Sequence, residues 1–257
     1  MSVFGKYSSY YDLLYKDKDY QAEADFVYDL LQQYNPNGSS VLELGCGSGG
    51  HALKLAEKGL SLHGVDMSND MLQIANSQAE NLPAELAGKL SFSQGDIRQL
   101  ELGKTFANVI SLFHVISYMP TLEDILAVFN RVYTHLESSG VFVFDIWYAP
   151  AVLTQKPEVR VKRMRNNDIA VTRIAEPVWH PNECWVDVCY KVFIEDLKTS
   201  KIDELETEVH RMRYLSLPEI KLLASLANLE VITHGEWLTN KSLDETTWGA
   251  YFVVRKN

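Results

Sequence analysis

Apolar residues in the first third of the chain recur at two alternating periods. Between Asp19 and Tyr34 they fall at helical spacing (Phe26, Val27, Leu30, Leu31), and the run stops before "NPNG", a turn composition. A unit of short apolar run, turn and amphipathic helix then repeats. "SVLEL" leads through a glycine-rich turn into the helix "GHALKLAEKG". "LSLHGVD" leads into "SNDMLQIANSQAE", with Ser68 placed as N-cap. "KLSFSQGD" is a third strand. "FANVISLFHVISYM" contains a fourth, followed by the helical "TLEDILAVFNRVYTHLESSG". "GVFVFDIW" is a fifth, apolar almost without break, as a strand buried on both faces requires. Strands alternating with helices predict a parallel, doubly wound α/β sheet.

After Trp147 the period changes to two. From about Val159 to Leu215, stretches such as "IAVTRIAEPVW", "CWVDVCYKVFIED" and "ELETEVHRMRYLSL" are divided by the polar turns "NND", "HPNE" and "DLKTS", which predicts an antiparallel sheet. "SLPEIKLLASLANLE" is a helix with Pro218 in its first turn, and "EVITHGEW" and "WGAYFVVRK" are two closing strands. The expected organisation is one α/β domain (1–150 with 216–257) carrying an antiparallel β insertion (151–215).

Composition narrows the classes. An apolar share of 46% suits a chain that buries a real core, and no apolar run is long enough for a membrane span. The first twenty residues are polar and tyrosine-rich, unlike a signal peptide, and Cys46, Cys184 and Cys189 fit neither a metal spacing nor a disulfide framework. These features predict a cytoplasmic protein with no metal. The net charge of −10 argues against a nucleic-acid partner. Yet the segment from Lys156 to Arg173 holds six basic residues, Arg160 among them, and two acidic ones. A solvated strand face and a local site for an anionic ligand are both open for it.

"VLELGCGSGG" carries the chemistry. Glycines between a strand and a helix let backbone approach a ligand and offer helix N-terminal amides. Glu43 precedes Gly45, Gly47 and Gly49 in E-x-G-x-G-x-G; Asp66 ends the next strand, apt for ribose hydroxyls; Asp96 follows the third strand, apt for an adenine amine beside Ile97. A nicotinamide-binding domain shares the Asp66 position but not Glu43, Asp96 or a closing antiparallel hairpin.

This ordered set resembles the class I S-adenosylmethionine-dependent methyltransferases over roughly Leu30 to Trp147. The resemblance implies a seven-stranded Rossmann-like sheet and S-adenosyl-L-methionine as cofactor. It implies cofactor-binding roles for Glu43, Gly45, Cys46, Gly47, Gly49, Asp66, Met67, Met71, Asp96, Ile97 and Leu112, with the two methionines flanking the adenine or filling the core. The stretch "YYDLLYKDKDYQAEA", the insertion and "YLSLPEI" resemble the nucleotide-linked aminosugar N-methyltransferases, which methylate the amine of dTDP-linked 3-amino sugars. That implies a small-molecule acceptor, Tyr11 closing over cofactor and acceptor, and the basic insertion meeting a diphosphate. Where that group tends to carry Gly-His after strand four, this chain has Ser117-Tyr118, with His114 slightly earlier.

The acceptor pocket is expected over the ends of strands four and five. Candidates are Tyr7, Tyr10, Tyr11, His114, Tyr118, Asp145, Trp147 and Tyr148, joined by Trp179, His180 and Arg160 from the insertion. His114, Tyr118 and Tyr11 are the catalytic candidates; Tyr11, Tyr118, Trp147, Tyr148 and Arg160 are the substrate-binding ones. His135 and His210 are expected to be structural or exposed. N-methylation of an amine, O-methylation with His114 as base and a non-catalytic binding module remain distinct outcomes, and a homodimer is one arrangement open to the chain.

Overall fold

The computed structural model describes residues 18–205 and 207–256. Helix α1 (Tyr20–Tyr34) starts where the Asp19 carboxylate accepts the Ala22 amide, and its buried stripe is Ala24, Val27, Leu30 and Leu31. Then follow β1 (Ser40–Leu44), α2 (Gly50–Glu57), β2 (Ser61–Asp66), α3 (Asn69–Glu80), the single turn α4 (Ala84–Ala87) and β3 (Leu90–Gln94). Ser68 caps α3 as expected, accepting from the Met71 amide. β4 (Phe106–Ser111), a 3₁₀ turn (Val115–Tyr118), α5 (Leu122–His135) and β5 (Leu136–Tyr148) complete the doubly wound part.

Seven strands form the expected sheet. β3, β2, β1, β4 and β5 run parallel in that order. The closing strands β11 (Leu229–Glu236) and β12 (Gly249–Lys256) follow, with β12 antiparallel to β5 and β11 antiparallel to β12. The two faces are covered differently. Phe142, Phe144 and Phe252 pack with Phe129 and Val132 of α5 and with Ile220 and Leu223 of α7 (Leu217–Leu226). Val41, Val143 and Val253 pack against α1 and α2.

The insertion follows α6 (Ala149–Gln155). β6 (Arg160–Arg165), β7 (Ile169–His180), β8 (Trp185–Asp196) and β10 (Glu208–Leu215) pair antiparallel in the order β6-β7-β8-β10, and β9 (Ile202–Glu204) pairs with β8. It is continuous with the seven-stranded sheet, giving twelve strands among the described residues. The join is at β5. β4 pairs with β5 only as far as Ser111 opposite Phe144, and then turns away. β5 runs on, and its unpaired edge is taken by β10, with Tyr214 opposite Trp147 and Leu215 opposite Tyr148. A second contact ties the insertion to the glycine-turn side: Met71 of α3 packs with Val171 and Val192. The space between these two anchors holds the site.

Candidate active site

The glycine turn is held in a shape that few side chains would allow. Gly45, Gly47 and Gly49 all have left-handed backbone, at φ +72°, +52° and +81°. The Gly45 and Cys46 amides both donate to the Val65 carbonyl, at 2.8 and 3.1 Å. Asp66 stitches the turn to the next one, since its carboxylate accepts the Gly47 amide and the Ser68 amide, each at 2.8 Å. A Cβ on Gly47 would point into open space. Gly47 also lines a cavity of about 290 Å³, together with Gly45, Cys46, Asp66, Met67, Met71, Ile97 and Leu112.

Glu43 lies behind the turn, almost fully buried. His51 Nδ1 is 3.6 Å from one Glu43 oxygen, while His51 Nε2 reaches Glu23 of α1 at 2.6 Å and Lys18 Nζ reaches Glu23 at 3.2 Å. Burial alone would lower His51, but its bonds to Glu23 and Glu43 outweigh that and raise it. The other Glu43 oxygen has no hydrogen-bond partner among the described residues. Burial, with Glu43 and Asp66 nearby, pushes the Cys46 thiol up, so it is a small buried side chain and not a nucleophile.

Three of the expected site residues do not line the cavities. Asp96 does not line the cavity: Arg98 Nε and Nη2 grip its two oxygens at 3.0 and 2.7 Å, and Arg98 also reaches Asp124. A guanidinium two residues away satisfies the carboxylate locally, and only the adjacent Ile97 faces the cavity. Gly49 is not at the cavity either; a Cβ there would meet Phe92 and Ala75, so this glycine permits helix–sheet packing. Tyr148 packs in the apolar core rather than the acceptor pocket, because successive residues of a strand face opposite ways and Trp147 takes the pocket side. Tyr7, Tyr10 and Tyr11 lie outside the described residues.

A second cavity of about 550 Å³ adjoins the first. Its walls include the expected His114, Tyr118, Trp147 and Arg160, with Lys162 and Arg173 beside Arg160. His114 is held rigidly. It and Phe113 are consecutive left-handed residues, at φ 61° and 67°, an arrangement costing on the order of 1–3 kcal/mol per residue. Buried Asp145 compensates by accepting the His114 amide at 3.1 and 3.2 Å and lying 2.6 Å from its Nδ1. Burial alone would raise Asp145, but the His114 charge and hydrogen bonds outweigh it and hold the carboxyl below its ordinary range. Trp179 and His180 line neither cavity; they bond Tyr214 and pair with Asp187. His135 is structural as expected, accepting the Leu102 amide.

His210 departs from its expected structural role. It lines both cavities and bonds the Tyr118 hydroxyl at 2.8 Å. Its alternation with Met212 and Tyr214 on β10 marked an inward face, but nothing in the sequence showed what that face meets.

Residues 41–140 match a family model described as a methyltransferase domain. Over 184 residues the chain is 30% identical to dTDP-3-amino-3,4,6-trideoxy-alpha-D-glucopyranose N,N-dimethyltransferase of Streptomyces venezuelae, spanning 71% of this chain and 74% of that one. The chain belongs to the S-adenosylmethionine-dependent methyltransferases, and it is an enzyme with S-adenosyl-L-methionine as methyl donor. The crystal structure of DesVI from Streptomyces venezuelae superposes with a TM-score of 0.79 at 25% identity, covering 98% of each chain. A methyltransferase from Clostridium acetobutylicum shares the fold over 100% of both chains, with a TM-score of 0.81 at 21% identity. The donor cavity fits that cofactor. It combines open space at Gly47, the Asp66 carboxylate where a ribose would present hydroxyls, and an apolar wall of Met71, Ile97 and Leu112 for a base. No helix among the described residues is long and apolar enough to cross a membrane.

Proposed function

We propose that the enzyme N-methylates the amino group of a small nucleotide-linked sugar. The observation that carries this reading is the second cavity. It opens from the donor cavity past Tyr118, and Arg160, Lys162 and Arg173 line it together with one carboxylate, Glu158, a net cationic wall suited to charge-assisted bonds with a diphosphate. The aminosugar dimethyltransferase of S. venezuelae supports the amine as acceptor. In this reading 151–215 is the acceptor-binding insertion, and Tyr11 covers donor and acceptor by resemblance. Three free cysteines accord with a cytoplasmic location.

The bound cofactor supplies an electrophilic methyl group on a sulfonium. In the displacement itself the protein's part is alignment and exclusion of water. Asp66, held in place by the Gly47 amide, fixes the donor, and the cationic wall and Trp147 orient the acceptor. Incubation with methyl-labelled S-adenosylmethionine and a dTDP-linked amino-dideoxyhexose tests the reading through product mass. A gain of one or two methyl groups is expected, and no gain with intact S-adenosylhomocysteine binding refutes it.

One observation favours O-methylation as a second reading. The pairing of His114 Nδ1 with Asp145 leaves Nε2 free of that pair, as a general base for a hydroxyl requires. His114→Ala then costs about 10² or more in rate on a hydroxylated acceptor and little on an amine.

A further inference from the structure

Phe113, Tyr118 and His210 are the described residues that line both the donor and the acceptor cavities, so the transferred methyl group crosses beside them. His114 faces the acceptor cavity without lining the donor one. Of the three, Tyr118 presents a hydroxyl that is itself hydrogen-bonded to His210, so it is the group at the junction of the two cavities placed to take up a proton. Its hydroxyl meets His210 Nδ1 at 2.8 Å, and His210 Nε2 lies 3.4 Å from Glu208 Oε2. His210 is buried and Glu208 half-buried on the same face of β10.

We propose that Tyr118, His210 and Glu208 form a proton relay that drains the acceptor at the point of methyl transfer. The relay rests on the methyl-transfer reading of the two cavities. The acceptor nitrogen's lone pair forms the C–N bond as the C–S bond breaks, and the electron pair of that bond stays on sulfur. The nitrogen's surplus proton passes to the Tyr118 oxygen, while the tyrosine's own proton passes to His210 Nδ1. The resulting imidazolium points its Nε2–H at the Glu208 carboxylate.

Among the described residues four groups face His210: the Tyr118 hydroxyl from the 3₁₀ turn, Glu208 from its own strand, the Tyr190 ring of β8 at 4.9 Å edge-on, and Arg173 of β7 over that ring at 4.6 Å. Glu208 attracts the imidazolium that the transfer forms. His210 is a positioning and proton-accepting residue acting through Tyr118.

The test compares the full-length wild type with Tyr118→Phe, His210→Gln, His210→Ala and Glu208→Gln. With the methylated acceptor, His210→Gln should lower kcat about 10²-fold with little change in KM and alter the rate–pH profile. Free imidazole should restore part of the His210→Ala rate. Unchanged kcat and pH profile in His210→Gln overturn the relay. A readout without turnover separates this from failure of the sugar reading. The ring 13Cζ signal of Tyr118, assigned through Tyr118→Phe in the S-adenosylhomocysteine complex, should shift in His210→Gln. An unmoved signal overturns the relay whatever the acceptor proves to be.

Discussion

Gly45 and Gly47 look alike in sequence, but the structure assigns them different penalties for the same substitution. Alanine at either must adopt left-handed backbone, at about 1–2 kcal/mol. At Gly47 nothing lies within 4 Å of the added methyl, so strain is the whole stability cost. At Gly45 the methyl would sit 2.6 Å from both Cγ atoms of Val115, and a branched side chain cannot swing both away. Overpacking of that kind adds about 1–3 kcal/mol. Gly45→Ala should therefore destabilise the cofactor-free protein by about 2–5 kcal/mol, measured as a shift in the urea midpoint. Gly47→Ala should lose less stability but most of its S-adenosylhomocysteine affinity by calorimetry, because its methyl enters the donor cavity. Val115→Ala alone removes two partly buried methyl groups, about 1–2 kcal/mol. Combined with Gly45→Ala it should recover about 1–3 kcal/mol of coupling. Equal stability of the two glycine variants, or strict additivity with Val115→Ala, would refute this account of the turn.

The buried His51–Glu23 pair should give stability a bounded pH window. His51 is raised above its ordinary 6.5, so its contribution is complete below 6.5 and lost as pH climbs through the folded value. Glu23, lowered from 4.5 because its bonds to His51 and Lys18 outweigh burial, contributes above 4.5 and loses that as pH falls. Wild-type Tm minus that of His51→Gln, followed against pH, should peak between those limits; a difference that grows on the alkaline side contradicts the assignment. Asp66→Ala should cost more than tenfold in S-adenosylhomocysteine affinity, since a buried polar contact is worth about 1–3 kcal/mol. Asp96→Ala should cost less than Asp66→Ala, and the reverse order would restore Asp96 to the adenine. Arg160→Ala with Arg173→Ala should raise the KM of a diphosphate-linked acceptor in a salt-sensitive way and leave kcat nearly unchanged, as read from initial rates at two ionic strengths.

The donor half of the site was legible because its contacts are short-range. Gly47 and Asp66 bond across nineteen positions, and both lie at turns that adjacent elements of one βαβ unit impose. Period and turn composition likewise place the parallel strands and the closing hairpin. Asp96 shows the limit of such reasoning even locally, since the motif marks a carboxylate but not which neighbour takes its oxygens, and Arg98 does. The acceptor half depends on distances the chain does not encode along its length. Tyr118 and His210 meet across ninety-two positions, and only because β4 stops at Ser111 while β5 continues and gives its open edge to β10. Which side chains then face inward follows from strand register, where a slip of one residue exchanges Trp147 for Tyr148. Short-range hydrogen bonding and periodicity are written in neighbouring residues; the approach of the insertion's strands to the glycine-turn side of the same sheet is decided by packing, and the second cavity exists only once those contacts form.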